Sequence, residues 1–341
     1  MRGAPGLTER AVILSGPGPA GDPPGMNTLT RQYTIGKPQV AGPLAAFPVF
    51  GPAPQLEYRT FARATELGAL ARELDGGASV RSLVVENPTD LPLLVYEGEE
   101  VLGAQQNRSF DDSVLVAPGA ELRLDVSCTE AGRWEGSRHA EPLRASPQAA
   151  DPDLRRLKRA GARRAGRPAQ GEVWEAVGQR LAEHGVASRT VAMSDLYDRR
   201  RADLSSLARA LGHVEGQVGA VAAVSGSPVV LDLVSRPEAF AALLPRLAQG
   251  YALDALGAAE QAPDGEAAAA FLSEALAAPR VPTRTPGMGC GLAIGTAALI
   301  GSGLESEREL IQLAAFPAAA GRSRAPAARA RIARPSRRRP S

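Results

Sequence analysis

The chain has 341 residues, 44% of them hydrophobic and 22% charged, enough to bury one large core or two ordinary ones and too apolar for a disordered chain. Of its 39 Lys and Arg, eight Arg fall in residues 318–341, which hold no acid, so the other 31 face all 37 Asp and Glu; an acidic body argues against nucleic-acid binding and leaves only a weak polyanion contact through the tail. Two distant cysteines, Cys128 and Cys290, make neither a disulfide framework nor a zinc site, and with no secretory signal and no apolar run of membrane-spanning length the sequence reads as a soluble, cytoplasmic protein.

Residues 1–30, rich in Gly and Pro, read as a leader without structure. A β-rich part follows over 31–145. Residues 43–50 and 80–86 are apolar strands, and Asn87-Pro88-Thr89-Asp90 is a turn that returns the chain through 91–96 as a hairpin. Between them Leu67, Leu70, Ala71 and Leu74 give 58–76 a helical spacing that stops at Gly76-Gly77. Leu122, Leu124 and Val126 alternate with Glu121, Arg123 and Asp125, a half-buried antiparallel strand whose expected partner is 113–116 across the turn 117–120.

Residues 146–213 read as helical, with apolar side chains three and four apart over 153–164, 171–184 and 194–211. The part 214–317 opens with a hairpin, 218–224 and 229–234, across Ser225-Gly226-Ser227-Pro228. A helix then starts at Ser235-Arg236-Pro237-Glu238, where Ser and Glu have the spacing of a capping box, and runs to about Leu256. A second helix over 264–278 and closing strands over 295–301 and 309–316 complete a β-β-α-α-β-β order. Antiparallel hairpins, a helical middle and this closing segment predict an α+β fold in a single domain over 31–317, followed by an Arg-rich disordered tail over 318–341.

The chemistry concentrates between Glu97 and Trp134. Polar residues threaded between strands need partners, and Gln106, Asn107 and Arg108 combine amides with a guanidinium, a set suited to phosphate, carboxylate or the edge of a base. Arg133 adds a second guanidinium, and Trp134 reads as a packing anchor, with stacking on a base or ring as the alternative that would make it part of a binding site. Glu99 and Glu130 are the candidate acid or base groups, since a carboxyl pointing inward rises in pKa. Glu97, Glu99 and Glu100 with Asp111 and Asp112 have a carboxylate content that could suit a divalent cation, although acidic turns are usually only solvated. Cys128 lacks a Cys-His signature and reads as a buried, inert thiol. Gly287-Met288-Gly289-Cys290-Gly291 follows no strand and opens no helix, so it is not a dinucleotide fingerprint.

Val84-Val85-Glu86-Asn87-Pro88-Thr89-Asp90, Glu97-Gly98-Glu99-Glu100, Gly103-Ala104-Gln105-Gln106-Asn107-Arg108, Val126-Ser127-Cys128 and Glu130-Ala131-Gly132-Arg133-Trp134 resemble the bacterial family of ADP-ribosylglycohydrolase and rhodanese-phosphatase superfamily associated proteins. The segments Gly171-Glu172-Val173-Trp174, Gln217-Val218-Gly219-Ala220 and 251–256 are similar to it too, so the likeness runs from about Thr34 to Phe316. The resemblance implies a gene-neighbourhood link to NAD and ADP-ribose chemistry and carries over no catalytic residue. Gln105 stands where the family usually has a basic residue. The expected function is an accessory protein or enzyme of NAD and ADP-ribose-related nucleotide metabolism, binding a nucleotide or ADP-ribose-type ligand on a sheet rim; the sequence leaves the cofactor open. The alternatives are a non-enzymatic scaffold that recruits a protein partner, its polar passage being structural, and a carboxylate-metal hydrolase.

Overall fold

The computed structural model describes residues 32–319. The expected leader, and all of the expected tail except Ala318 and Ala319, lie outside the described residues. Among these residues, seven α-helices and eighteen strands give an α+β fold.

The chain starts with β1 (Thr34–Ile35), β2 (Gln39–Ala41) and β3 (Leu44–Phe50), then β4 (Arg59–Thr60), α1 (Phe61–Thr65) and β5 (Leu70–Arg72). Next come β6 (Ser82–Glu86), β7 (Leu93–Val95), β8 (Glu99–Leu102), β9 (Arg108–Phe110), β10 (Val114–Val116), β11 (Glu121–Cys128) and β12 (Arg144–Ala149). Six of these pair in the order β12-β8-β9-β11-β6-β5, and a bridge from Ala71 to Leu143 closes them into a small barrel. The strands β10-β7-β4 form a three-stranded sheet against it. The period of two divides its side chains: Leu93, Val95, Val114 and Val116 enter the barrel core, whereas Leu94, Tyr96 and Leu115 join a second core on the other side.

Four helices follow, α2 (Pro152–Ala165), α3 (Gln170–Glu183), α4 (Met193–Arg199) and α5 (Arg201–Ala208). α2 begins where Asp151 accepts a hydrogen bond from the Leu154 amide and Pro152 occupies the first turn. The rest of the chain is β13 (Gln217–Val224), β14 (Ser227–Val234), α6 (Pro237–Ala255), α7 (Gly265–Ala277), β15 (Arg280–Thr283), β16 (Cys290–Gly295), β17 (Leu299–Ser306) and β18 (Glu309–Pro317). These strands join β1–β3 in a nine-stranded antiparallel sheet, β1-β3-β13-β14-β18-β17-β16-β15 with β2 also on β3. α7 buries Phe271, Leu272 and Leu276 on one face of it. On the other face, Phe240, Leu243, Leu247 and Tyr251 of α6 share a core with α2–α5 and with the junction residues Leu94, Tyr96 and Leu115.

Several local expectations are corrected. Only one turn of the expected helix 58–76 is helical, because Gly68 (φ +97°) turns the chain and Leu70–Arg72 pairs with β6. Neither expected hairpin of the first part forms: β6 pairs with β11, and β7 pairs with β10. The turns at 87–90 and 117–120 are instead two corners where the chain passes between sheets. The Asn87 side-chain amide donates to the carbonyls of Leu91, Val116 and Ala117, and its backbone amide donates to Ala120. One side chain thus supplies the hydrogen bonds that a hairpin ladder would have made. The expected helix 194–211 breaks at Arg200, and β12 lies at the start of the part read as helical. Ser235 caps nothing, since its hydroxyl bonds to the Tyr58 hydroxyl at 3.1 Å and Arg236 is the N-cap. The closing strand expected at 295–301 lies at Leu299–Ser306 and is preceded by β15 and β16.

Candidate functional site

The polar passage folds inward. Between β8 and β9 the backbone turns through Gly103 and Ala104, whose carbonyls both accept from Arg133, at 3.4 and 2.7 Å. The Arg133 Nε lies 2.9 Å from both Glu130 oxygens, and its Nη2 donates to Asn107 Oδ1 at 3.0 Å. Glu130 Oε1 also accepts from the Thr190 hydroxyl at 2.8 Å, and Oε2 from the Asn107 amide at 3.2 Å. Asn107 Nδ2 reaches Ser194 Oγ, and Gln106 Nε2 donates to the Glu130 carbonyl. The structure therefore brings Gln106, Asn107, Glu130 and Arg133 into one network, which ties the barrel to the start of α4.

Glu99 is not part of it. Its carboxylate accepts from the Tyr96 amide at 2.9 Å, and burial pushes its pKa up to about 7. Its neighbour Glu100 is the carboxyl that faces Glu130. It accepts from Thr129 Oγ1 at 2.6 Å and from Gln148 Nε2 at 2.9 Å, and burial, reinforced by the Glu130 charge, also pushes it up to about 7.

Arg108 is fully buried in the barrel wall with its guanidinium 5.8 Å from the ring of Trp134, which is 50% exposed. Its nearest carboxylate, Glu73, is 3.7 Å away and is turned toward the backbone amides of Gln105 and Ser79, while Arg108 Nε and the Gln105 side-chain oxygen lack a hydrogen-bond partner. Burial raises the Glu73 carboxyl against the pull of Arg108. Cys128 is held by Gln106 and the Glu130 carbonyl, and burial raises its thiol despite the nearby Arg108 charge. That suits an inert thiol.

A family profile, the ARG and Rhodanese-Phosphatase-superfamily-associated Protein domain, matches residues 32–316. The chain belongs to this family. Its name records an association with ADP-ribosylglycohydrolase and rhodanese-phosphatase superfamilies. No curated protein and no solved structure matches the chain.

In this family member three more buried charge clusters lie outside the residues read as a site. Arg155 of α2 donates to Glu97 Oε1 at 2.5 and 3.0 Å and to both oxygens of Asp232 at 2.6 and 3.0 Å. Asp232 accepts in addition from Tyr96 and Tyr251, each at 2.6 Å. Gly98 (φ +84°) is required here, because a Cβ would sit 2.7 Å from Arg155 Cδ. Lys158 pairs with Asp111 at 2.9 Å and Arg159 with Asp112 at 2.9 Å, while Arg180 binds Asp151 and Asp254. Two signals in the sequence mark these clusters: a lone acid, Asp232, in an apolar strand, and cations at 155 and 158 on the face of α2 that carries Leu154.

Glu97, Asp111 and Asp112 are thus each paired with a cation, and among the described residues no group of three or more His, Cys, Asp or Glu has the arrangement of a metal site. That donor set does not fit a carboxylate-metal centre. No helix among the described residues is long and apolar enough to cross a membrane. Two clefts open elsewhere. One of about 480 Å³ lies between α2 and β15–β17, and one of about 560 Å³ between α2, α3 and the β13–β14 turn. None of Glu99, Gln106, Asn107, Arg108, Glu130, Arg133 or Trp134 lines either one.

Proposed function

We propose that the chain is an accessory domain that binds an ADP-ribose-type nucleotide without turning it over. The state of Glu130 carries the reading. A general acid or base must reach the proton it moves, and this carboxylate is engaged on both oxygens by Arg133, Thr190 and the Asn107 backbone. Glu99 accepts from the Tyr96 backbone, outside that network. The nucleotide half of the reading draws on the family's association with ADP-ribosylglycohydrolases. The test is titration calorimetry of the full chain with ADP-ribose, beside chromatography of NAD and an ADP-ribosylated peptide incubated with excess protein. Binding without product is expected. Product that disappears in Glu130→Gln would overturn the proposal.

A second reading has its own observation. Arg108 Nε and the Gln105 side-chain oxygen are unpartnered, and Arg108 lies against the half-exposed Trp134; buried polar atoms of that kind call for a ligand or water. In this reading the ligand stacks on Trp134, donates an amino group to Gln105, and meets Arg108 in a frame held by Gln106, Asn107 and Arg133. Trp134→Ala then loses most of the ADP-ribose affinity; unchanged affinity removes this site.

A further inference from the structure

On the inner face of the large sheet the side chains change abruptly in size. Ile300, Leu304 and Phe316 fill the junction core, but toward the edge the same face carries Val281, Thr283, Gly291, Ala293 and Ser302, aligned by the register Val281↔Ala293↔Ser302 and Thr283↔Gly291. Small residues leave the floor of the 480 Å³ cleft open. At Gly291 a Cβ would lie 2.5 Å from Thr283 Oγ1, and at Gly295 2.6 Å from Arg163 Nη1, so the floor stays flat beneath the arginine.

The walls of the cleft are cationic. Arg159 and Arg163 descend from α2 one turn apart, and Arg284 faces them from the loop after β15. Arg159 is paired with Asp112, the one acid among the described residues that line the cleft. Arg163 makes only a 3.5 Å contact with the Thr296 carbonyl, and Arg284 forms no ion pair among the described residues. Ser302 Oγ, in a residue only 7% exposed, and Arg159 Nε are buried without partners.

We infer that this cleft is a binding site for a phosphate-bearing small molecule of nucleotide size. Guanidinium forks match phosphate oxygens in geometry and charge, and two arginines without an ion pair among the described residues, beside an unpartnered buried hydroxyl, are a donor set suited to an anion. The volume falls in the range of small-molecule sites. The inference deepens the accessory reading and rests on it for the nucleotide; the phosphate rests on the cleft alone.

The experiment titrates the full chain and an Arg163→Glu/Arg284→Glu double variant with ADP-ribose, AMP and inorganic pyrophosphate. Both arginines are exposed, so the variant should keep its melting temperature. The expected loss of affinity is about tenfold for each guanidinium, and binding to the unaltered chain should weaken as salt rises. Unchanged ADP-ribose affinity in the double variant overturns the cleft and leaves the accessory reading standing. Pyrophosphate affinity lost in the variant, with none gained by ADP-ribose over pyrophosphate, supports the cleft and overturns the nucleotide reading. No binding of any probe overturns both.

Discussion

Arg155 and Arg108 are equally buried and differently furnished. Arg155 sits between two carboxylates, one of which also accepts from two tyrosines, and lies over the rings of Tyr96 and Phe316 at 5.5 and 5.2 Å. Burial opposes its charge, but Asp232 and Glu97 outweigh it and hold its pKa well above the ordinary arginine value. Arg108 has a single carboxylate at 3.7 Å, an idle Nε and a pKa lowered by burial. What separates a strut from a strained charge is therefore the number and distance of acceptors, since the loss of water is the same for both. The first arrangement pins the barrel to the large sheet. The second contributes little to holding anything.

The sharpest break of this contrast is Arg155→Leu, which strands Glu97 and Asp232 in the junction. It should cost about 3–5 kcal/mol, read as a drop in the urea midpoint. Glu99 and Glu100 are a middle case, being buried acids with no direct cation partner. Their pKa of about 7 in the folded chain lies above the 4.5 of a free glutamate, so the native state keeps protons that the unfolded chain releases between those values. Their contribution to stability is therefore complete below about pH 4.5 and is lost as pH rises to about 7. Each carboxyl should account for roughly 3 kcal/mol of that decline. Comparing urea unfolding of Glu100→Gln with the unaltered chain at pH 5 and pH 8 isolates one of them; an unchanged slope would refute the assignment.

Gly98→Ala should cost about 1–3 kcal/mol through its left-handed backbone and the clash with Arg155. The Glu73→Gln/Arg108→Met double variant should stay within about 1 kcal/mol of the parent, because it removes an under-solvated pair as a unit. A large loss in that variant would make Arg108 a strut after all.

What the sequence carried was local. Apolar spacing located α2 and α3, and the turn Ser225-Gly226-Ser227-Pro228 located the β13–β14 hairpin, because each is stabilised by neighbours in the chain. The crossed pairing of β6 with β11 and β7 with β10 was hidden, since a turn at 87–90 looks the same whether the next strand returns or leaves for another sheet. The amides and arginines of the polar passage were visible as a group. Their partners were not: Glu73 sat in a segment read as helix, and Thr190 and Ser194 lie some sixty residues or more beyond Glu130. Arg155 was passed over because arginine on a helix reads as solvated surface unless its carboxylates are already in view.

The large sheet is made from both ends of the domain: β1 and β2 pair with β3 from the start of the chain, but the other edge of β3 is covered only when β13 arrives, with Phe50 opposite Gln217. During synthesis at about 5–20 residues per second, roughly ten to thirty seconds pass between the two. Throughout that interval the apolar run Leu44–Phe50 has β1 and β2 along one edge and no neighbour along the other, while the barrel encoded between β3 and β13 can already close. An open apolar strand edge is a template for pairing with another chain, so misassembly during synthesis is expected at the beginning of the domain, after its middle has folded.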